Sequence, residues 1–206
     1  MRRLIVGVFL ASAGCAAQGH APAPTTKPVM TMPVRGLGGA KVPVFPVITF
    51  SVAPATGWDA VLTPKRDALN RIDSIIAATA TDHAPEVEWV NAMAVRKAAT
   101  QAPGMLANPD QLSTAQLKTH ALSTVPEPLR AQLRNLTAVA TGGRYALIPA
   151  GLSFVHDAAA GRSFADLSVA LVDVRIGAVS WSATLHGVGN TPWEAVAVAT
   201  GLVFPQ

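Results

Sequence analysis

The sequence predicts a mixed α/β (α+β) domain: a mixed sheet ending in a C-terminal antiparallel meander, packed by about four helices. Three observations carry that prediction. Apolar residues recur at helical spacing over 64–80 and again over 128–141. Residues 144–186 change to alternation with period two, broken by short Gly-bearing turns. Half of the 206 residues are apolar and 14% are charged, which excludes a charged disordered chain and supplies enough apolar surface for a core.

The folded part is expected to begin near Lys41. Val42, Val44, Phe45, Val47, Ile48, Phe50 and Val52 form a β-branched, apolar run that reads as a strand. Pro43 and Pro46 argue for an edge or a late start. Thr63-Pro64 offers an N-cap and a first helical proline. Ala68, Leu69, Ile72, Ile75, Ile76 and Thr79 then make the apolar stripe of a helix to about Ala80, with Arg66, Arg71 and Asp73 off it. Residues 86–90 read as a short strand, and Asn91 as the cap of a helix over 92–100. Pro103, Gly104, Asn108 and Pro109 mark a loop, followed by a weak helix over 114–120. Pro126 and Pro128 open the next helix, whose stripe is Leu129, Leu133, Leu136, Val139 and Ala140 and whose end is Gly142-Gly143.

Three strands follow. The first spans 144–155. The second spans 163–174, with Leu167, Val169 and Leu171 on one face and Phe164, Ala170 and Val172 on the other. In the third, Val179, Trp181, Ala183 and Leu185 alternate with Ser180, Ser182, Thr184 and His186. Thr191-Pro192 caps a last helix with Trp193, Val196, Ala197 and Leu202 as its stripe. The sum is one domain, 42–206.

Ahead of it lies a different kind of sequence. Arg2-Arg3 precede the apolar run Leu4–Leu10 and the small residues Ala11-Ser12-Ala13-Gly14, which is the order of a secretory signal. The run is too short to span a bilayer. The sole cysteine, Cys15, directly follows Ala13-Gly14, and the segment 1–14 resembles a bacterial lipoprotein signal peptide; Ser12 stands where that pattern usually has Leu. The resemblance implies a lipidated Cys15 and a firm membrane anchor. Ala16, with no Asp beside the cysteine, implies outer-membrane sorting. An ordinary signal cut after Ala13 or Ala17 is the alternative. Residues 15–41, rich in Pro, Ala, Thr and Gly, read as a tether reaching about 28 Å r.m.s..

Tyr145–Gly151 and Ala170–Trp181 together resemble a pattern of envelope lipoproteins with a TolB amino-terminal-like domain, the family of LpoB and CsgG. Ile176 stands where that pattern has Thr. The resemblance implies a non-enzymatic domain that docks on partner proteins or assembles into rings. Without a long amphipathic insertion, a CsgG-type pore is not expected.

Chemistry has few footholds in the sequence. One cysteine excludes a disulfide framework. His20, His83, His120, His156 and His186 show no metal-ligand spacing, so no metal is expected. There is no G-x-S-x-G or S-x-x-K, and Ser153, Ser163, Ser168, Ser180 and Ser182 sit in or beside strands. Gly187–Pro192 precedes a helix but lacks a third glycine, so no nucleotide cofactor is expected. Glu86 and Glu88 read as a solvated edge. Trp58, in a loop beside Gly57, is the tryptophan to watch among Trp58, Trp89, Trp181 and Trp193. Arg66, Arg71, Arg130 and Arg134 form exposed helix faces. Net charge is +4, with 16 basic and 12 acidic residues; without the signal it falls to +2, and no nucleic-acid surface is indicated.

The reading is therefore an outer-membrane lipoprotein facing the periplasm. Its partners are the membrane through the lipid anchor and an unidentified envelope protein, with self-association left open; no catalytic residue, cofactor or metal is assigned. A periplasmic hydrolase or glycan-binding protein, and a ring-forming secretion component, are the alternatives.

Overall fold

The computed structural model describes residues 31–204. The expected signal, Cys15 and the first part of the expected tether lie outside the described residues. The elements are β1 (Lys41–Pro43), β2 (Phe50–Val52), α1 (Lys65–His83), β3 (Glu88–Val90), α2 (Ala92–Thr100), α3 (Leu129–Ala140), β4 (Tyr145–Asp157), β5 (Arg162–Asp173), β6 (Ala178–Val188) and α4 (Pro192–Gly201). They form a mixed sheet in the order β2-β4-β5-β6 and a two-stranded parallel sheet, β1-β3. The fold class is the expected one.

Helices cover both sheet faces. On one face α1 and α4 bury Ala68, Ile72, Ile76, Val196 and Ala199 against Leu167, Val169 and Leu171. On the other, α2 and α3 bury Val95, Leu129, Leu133 and Leu136 against Ile148, Ala170 and Val172. The predicted division of the second meander strand is thus the division between two cores.

Bulges shift that parity. Between Pro149 and Gly151 the pairing of β4 with β5 slips by one residue. Leu147 before the slip and Leu152 and Phe154 after it therefore face the same core. Pro149 has no N–H to donate, and a bulge is where a strand tolerates that loss. A second slip leaves Ser180 without a partner, because Trp181 opposes Leu171 and Val179 opposes Val172. Val179 consequently packs on the α3 side, not with Trp181 as alternation predicts.

The expected strand over 42–52 is two pieces. Val44 bridges to Leu147, the chain swings out, and Phe50–Val52 rejoin β4 in parallel at Leu152–Phe154. Pro43 and Pro46 forbid a continuous ladder there. The domain also starts earlier than residue 42. Met32, Val34 and Leu37 are buried, and the Met32 N–H donates to the Val203 carbonyl at 2.9 Å. The stretch from Met32 to Lys41, expected in the tether, belongs to the domain.

Caps and stripes show smaller departures. Asn91 caps α2 as expected, accepting from the Ala94 N–H at 2.9 Å. Thr191 caps α4, accepting from the Glu194 N–H at 3.2 Å. Thr63 does not cap α1: its hydroxyl donates to the Asp59 carbonyl, and Pro64 holds the N-cap position. The expected helix over 114–120 is a 3-10 turn, Thr114–Lys118. Val139 and Leu202 are exposed, so the α3 stripe is completed by Thr137 and that of α4 by Ala195, Ala199 and Val203.

Candidate functional site

A groove of about 570 Å³ lies between α1 and α2. Its α1 wall carries Asn70, Asp73, Ser74 and Asp82; its α2 wall carries Met93 and Arg96, with Trp89 and Asn91 at one end. The α1 residues recur at the three- and four-residue spacing that puts side chains on one helix face. Met93 is 74% exposed on the α2 wall.

The groove floor is an ion-pair network. Asp73 is buried, and its Oδ1 accepts the Val47 N–H at 2.8 Å. That N–H has no strand partner, because the chain leaves β4 between Val44 and Phe50. Its other oxygen lies 2.8 Å from Nη2 of Arg96, and Arg96 also binds Asp110 through Nε and Nη2, at 2.9 and 2.7 Å. Burial pushes the Asp73 carboxyl up from 3.8 to about 6, against the opposing pull of the Val47 N–H and of Arg96. The network ties the 45–49 excursion, α1, α2 and the turn at Pro109–Gln111 together. It holds the groove's two walls at a fixed spacing.

Asp73 was expected off the α1 stripe and lies inside the core. The signal was present: on a 100° helical wheel Asp73 falls next to Ile72 and Ile76. Its acceptor role was not visible, because it depends on a break in a distant strand.

A second polar constellation lies on the meander. At the end of the sheet face that α2 and α3 leave uncovered, beyond Ala170 and Val172, Asp166 pairs across the ladder with His186 through Nδ1. Beside it the Ser168 and Thr184 hydroxyls bond at 2.9 Å, and Nε2 of His120 meets Thr184 at 2.8 Å. His156 bonds Ser163 at 3.1 Å. Among the described residues no group of His, Cys, Asp or Glu is placed to hold a metal ion.

The remaining candidates are accounted for by packing. Trp58 is buried, edge-on to Phe154. Trp89 packs on Phe204 and donates its indole N–H to Ala84. Arg71 lies over Trp193, 4.3 Å from the ring centre. Arg130 reaches Glu127 at 3.9 Å, and Arg66 and Arg134 are exposed. Glu88 pairs with Lys41 across the two-stranded sheet; Glu86, expected on the same strand, precedes it. The glycine-bearing loop before α4 is closed by its own residues, since the Glu194 carboxylate accepts the Asn190 N–H at 2.8 Å. Asp173 shapes the turn after β5 as expected: its carboxylate accepts the Arg175 N–H, and Gly177 takes φ +73°.

No protein-family model matches this chain, and no curated protein matches it. Solved structures similar to it include the PelC dodecamer from Paraburkholderia phytofirmans, at 20% identity over 87% of this chain and 89% of that one, with a TM-score of 0.36. The LpoB C-terminal domain from Salmonella enterica is similar at 15% identity over 75% and 84%, with a TM-score of 0.38. Lipoprotein GNA1162 from Neisseria meningitidis is similar at 16% identity over 73% and 81%, with a TM-score of 0.34. Likeness this distant leaves function to be argued from the chain's own residues.

Proposed function

We propose that the chain is an outer-membrane lipoprotein whose domain works in the periplasm as a tethered, non-catalytic interaction module of an envelope assembly. The observation that carries this reading is the sole cysteine, Cys15, directly after Ala13-Gly14 behind two arginines and a short apolar run. Lipid on Cys15 confines the domain near one membrane, and the Pro-, Ala- and Thr-rich stretch after it sets the reach. Confinement raises the effective concentration of the domain for a partner in the same envelope. The α1–α2 groove supplies the docking surface: Met93 and Trp89 offer apolar contact, and Asn70, Ser74, Asp82 and Asn91 a hydrogen-bonding rim. The motif at Tyr145–Gly151 and Ala170–Trp181 keeps the TolB amino-terminal-like resemblance within this reading.

The hydrolase alternative has one observation in its favour, the Asp166–His186 pair, which resembles half of a catalytic triad. Thr184 bonds to Ser168 and to His120 instead of to His186. That leaves the pair without a nucleophile in hydrogen-bond contact among the described residues.

Cross-linking in intact cells, with fractionation, tests the interaction reading. Cys15→Ser is expected to leave the membrane fraction and to lose its cross-linked partner. Met93→Glu is expected to stay in the membrane and lose the same partner. A Cys15→Ser chain that remains in membranes refutes the anchor, and a partner indifferent to Met93→Glu refutes the groove.

A further inference from the structure

We propose that the outer edge of β6 from Ser182 to Val188 is where a second copy of this chain pairs, antiparallel, about a two-fold axis at Leu185. The interface needs neither the lipid anchor nor the α1–α2 groove.

β6 is the last strand of its sheet. The start of its outer edge is already paired: Thr124 bridges to Ala178, and the Val179 N–H donates to the Ser123 carbonyl at 2.9 Å. From Ser182 to Val188 no backbone group on the outer side has a partner among the described residues. Natural edge strands are blunted by charge, proline, shortness or a bulge. Ala178–Val188 holds no Asp, Glu, Lys, Arg or Pro. Its one bulge, at Ser180, lies before the open stretch. Among the described residues the edge is therefore long and lacks the usual blunting charges and proline.

The open stretch is complementary to itself. With Leu185 on the axis, Ser182 opposes Val188 of the copy, Ala183 opposes Gly187, and Thr184 opposes His186. Ala183, Leu185 and Gly187 share the face beneath α4, where apolar meets apolar; on the other face Thr184 meets His186, and Ser182 meets the exposed Val188 of the copy. The seven residues close on themselves with no overhang, as an isologous contact requires.

Above the strand, Gly187 is seated under Ala195 and Ala199 of α4. The exposed Val198 and Leu202 line a hollow with Thr79, Asp82 and His83 of α1, so the contact with the second copy is made by the strand edge itself.

The test is sedimentation of the mature chain carrying Cys15→Ser, alone and with two edge variants. Ser182→Lys with Val188→Lys sets lysine against lysine at both ends of the pairing. Ser182→Lys with Val188→Glu sets lysine against glutamate. The parent is expected to dimerise, the first variant to dimerise roughly tenfold more weakly, and the second to recover. Both variants carry the same lysine at 182, so their difference reports pairing and not folding. A parent that stays monomeric at about 200 μM, or two variants that behave alike, overturns the proposal.

Discussion

Asp73 shows how one side chain joins the sequence to the site. A strand interrupted by Pro46 leaves the Val47 N–H without a ladder partner, and a carboxylate on α1 accepts it at 2.8 Å. Burial then raises the carboxyl from 3.8 to about 6. A group whose folded value lies above its unfolded one takes up a proton on folding between those values. Its stabilisation is complete below about 3.8 and is lost as pH rises through about 6. The interval corresponds to about 3 kcal/mol. Urea unfolding at pH 7.5 and 4.5 should therefore show wild type gaining about 2 kcal/mol on Asp73→Asn at the lower pH. A difference that stays flat, or moves the other way, would show that Arg96 and the Val47 N–H outweigh burial.

At the scale of elements, Gly187 marks the closest approach of helix to sheet. A Cβ there would overlap the Ala195 carbonyl oxygen and the Ala199 nitrogen, which are backbone atoms that cannot rotate away. Gly187→Ala must therefore lift α4 from β6, at a cost of about 3 kcal/mol. Thermal melts should show a drop of about 6 to 12 °C; an unchanged melt would mean α4 is not seated as described. The elements themselves were legible because their signals are local. The α1, α2 and α3 helices, the meander and the Asp173–Gly177 turn each follow from periodicity, a cap or a turn residue within a few positions. The bulges at Ala150 and Ser180 were not, since each depends on where a neighbouring strand holds or lets go. The groove was illegible for the same reason. Its walls, α1 and α2, lie against opposite sheet faces, and only the tertiary fold brings Met93 beside Asp82.

At the scale of the whole molecule, composition and pattern part company at the amino-terminal boundary. The stretch 31–41 has the Gly and Pro content of a linker, and on that ground reads as tether. Yet Met32, Val34 and Leu37 are 1 to 3% exposed. Three side chains among Gly and Pro are enough to dock a segment, because burial depends on which residues reach the core and not on average composition. Burying each contributes about 1.5 to 3 kcal/mol, so together they rival the 5 to 15 kcal/mol of a typical domain. A chain beginning at Val42 should consequently lose cooperative unfolding in denaturant, or shift its midpoint far down. One beginning at Thr31 should unfold in a single sharp transition. If both chains unfold alike, the segment rests on the surface and the domain starts where its composition changes. If only the longer chain folds, the tether is shorter than its composition implies, and the distance the domain can stand from its membrane shrinks with it.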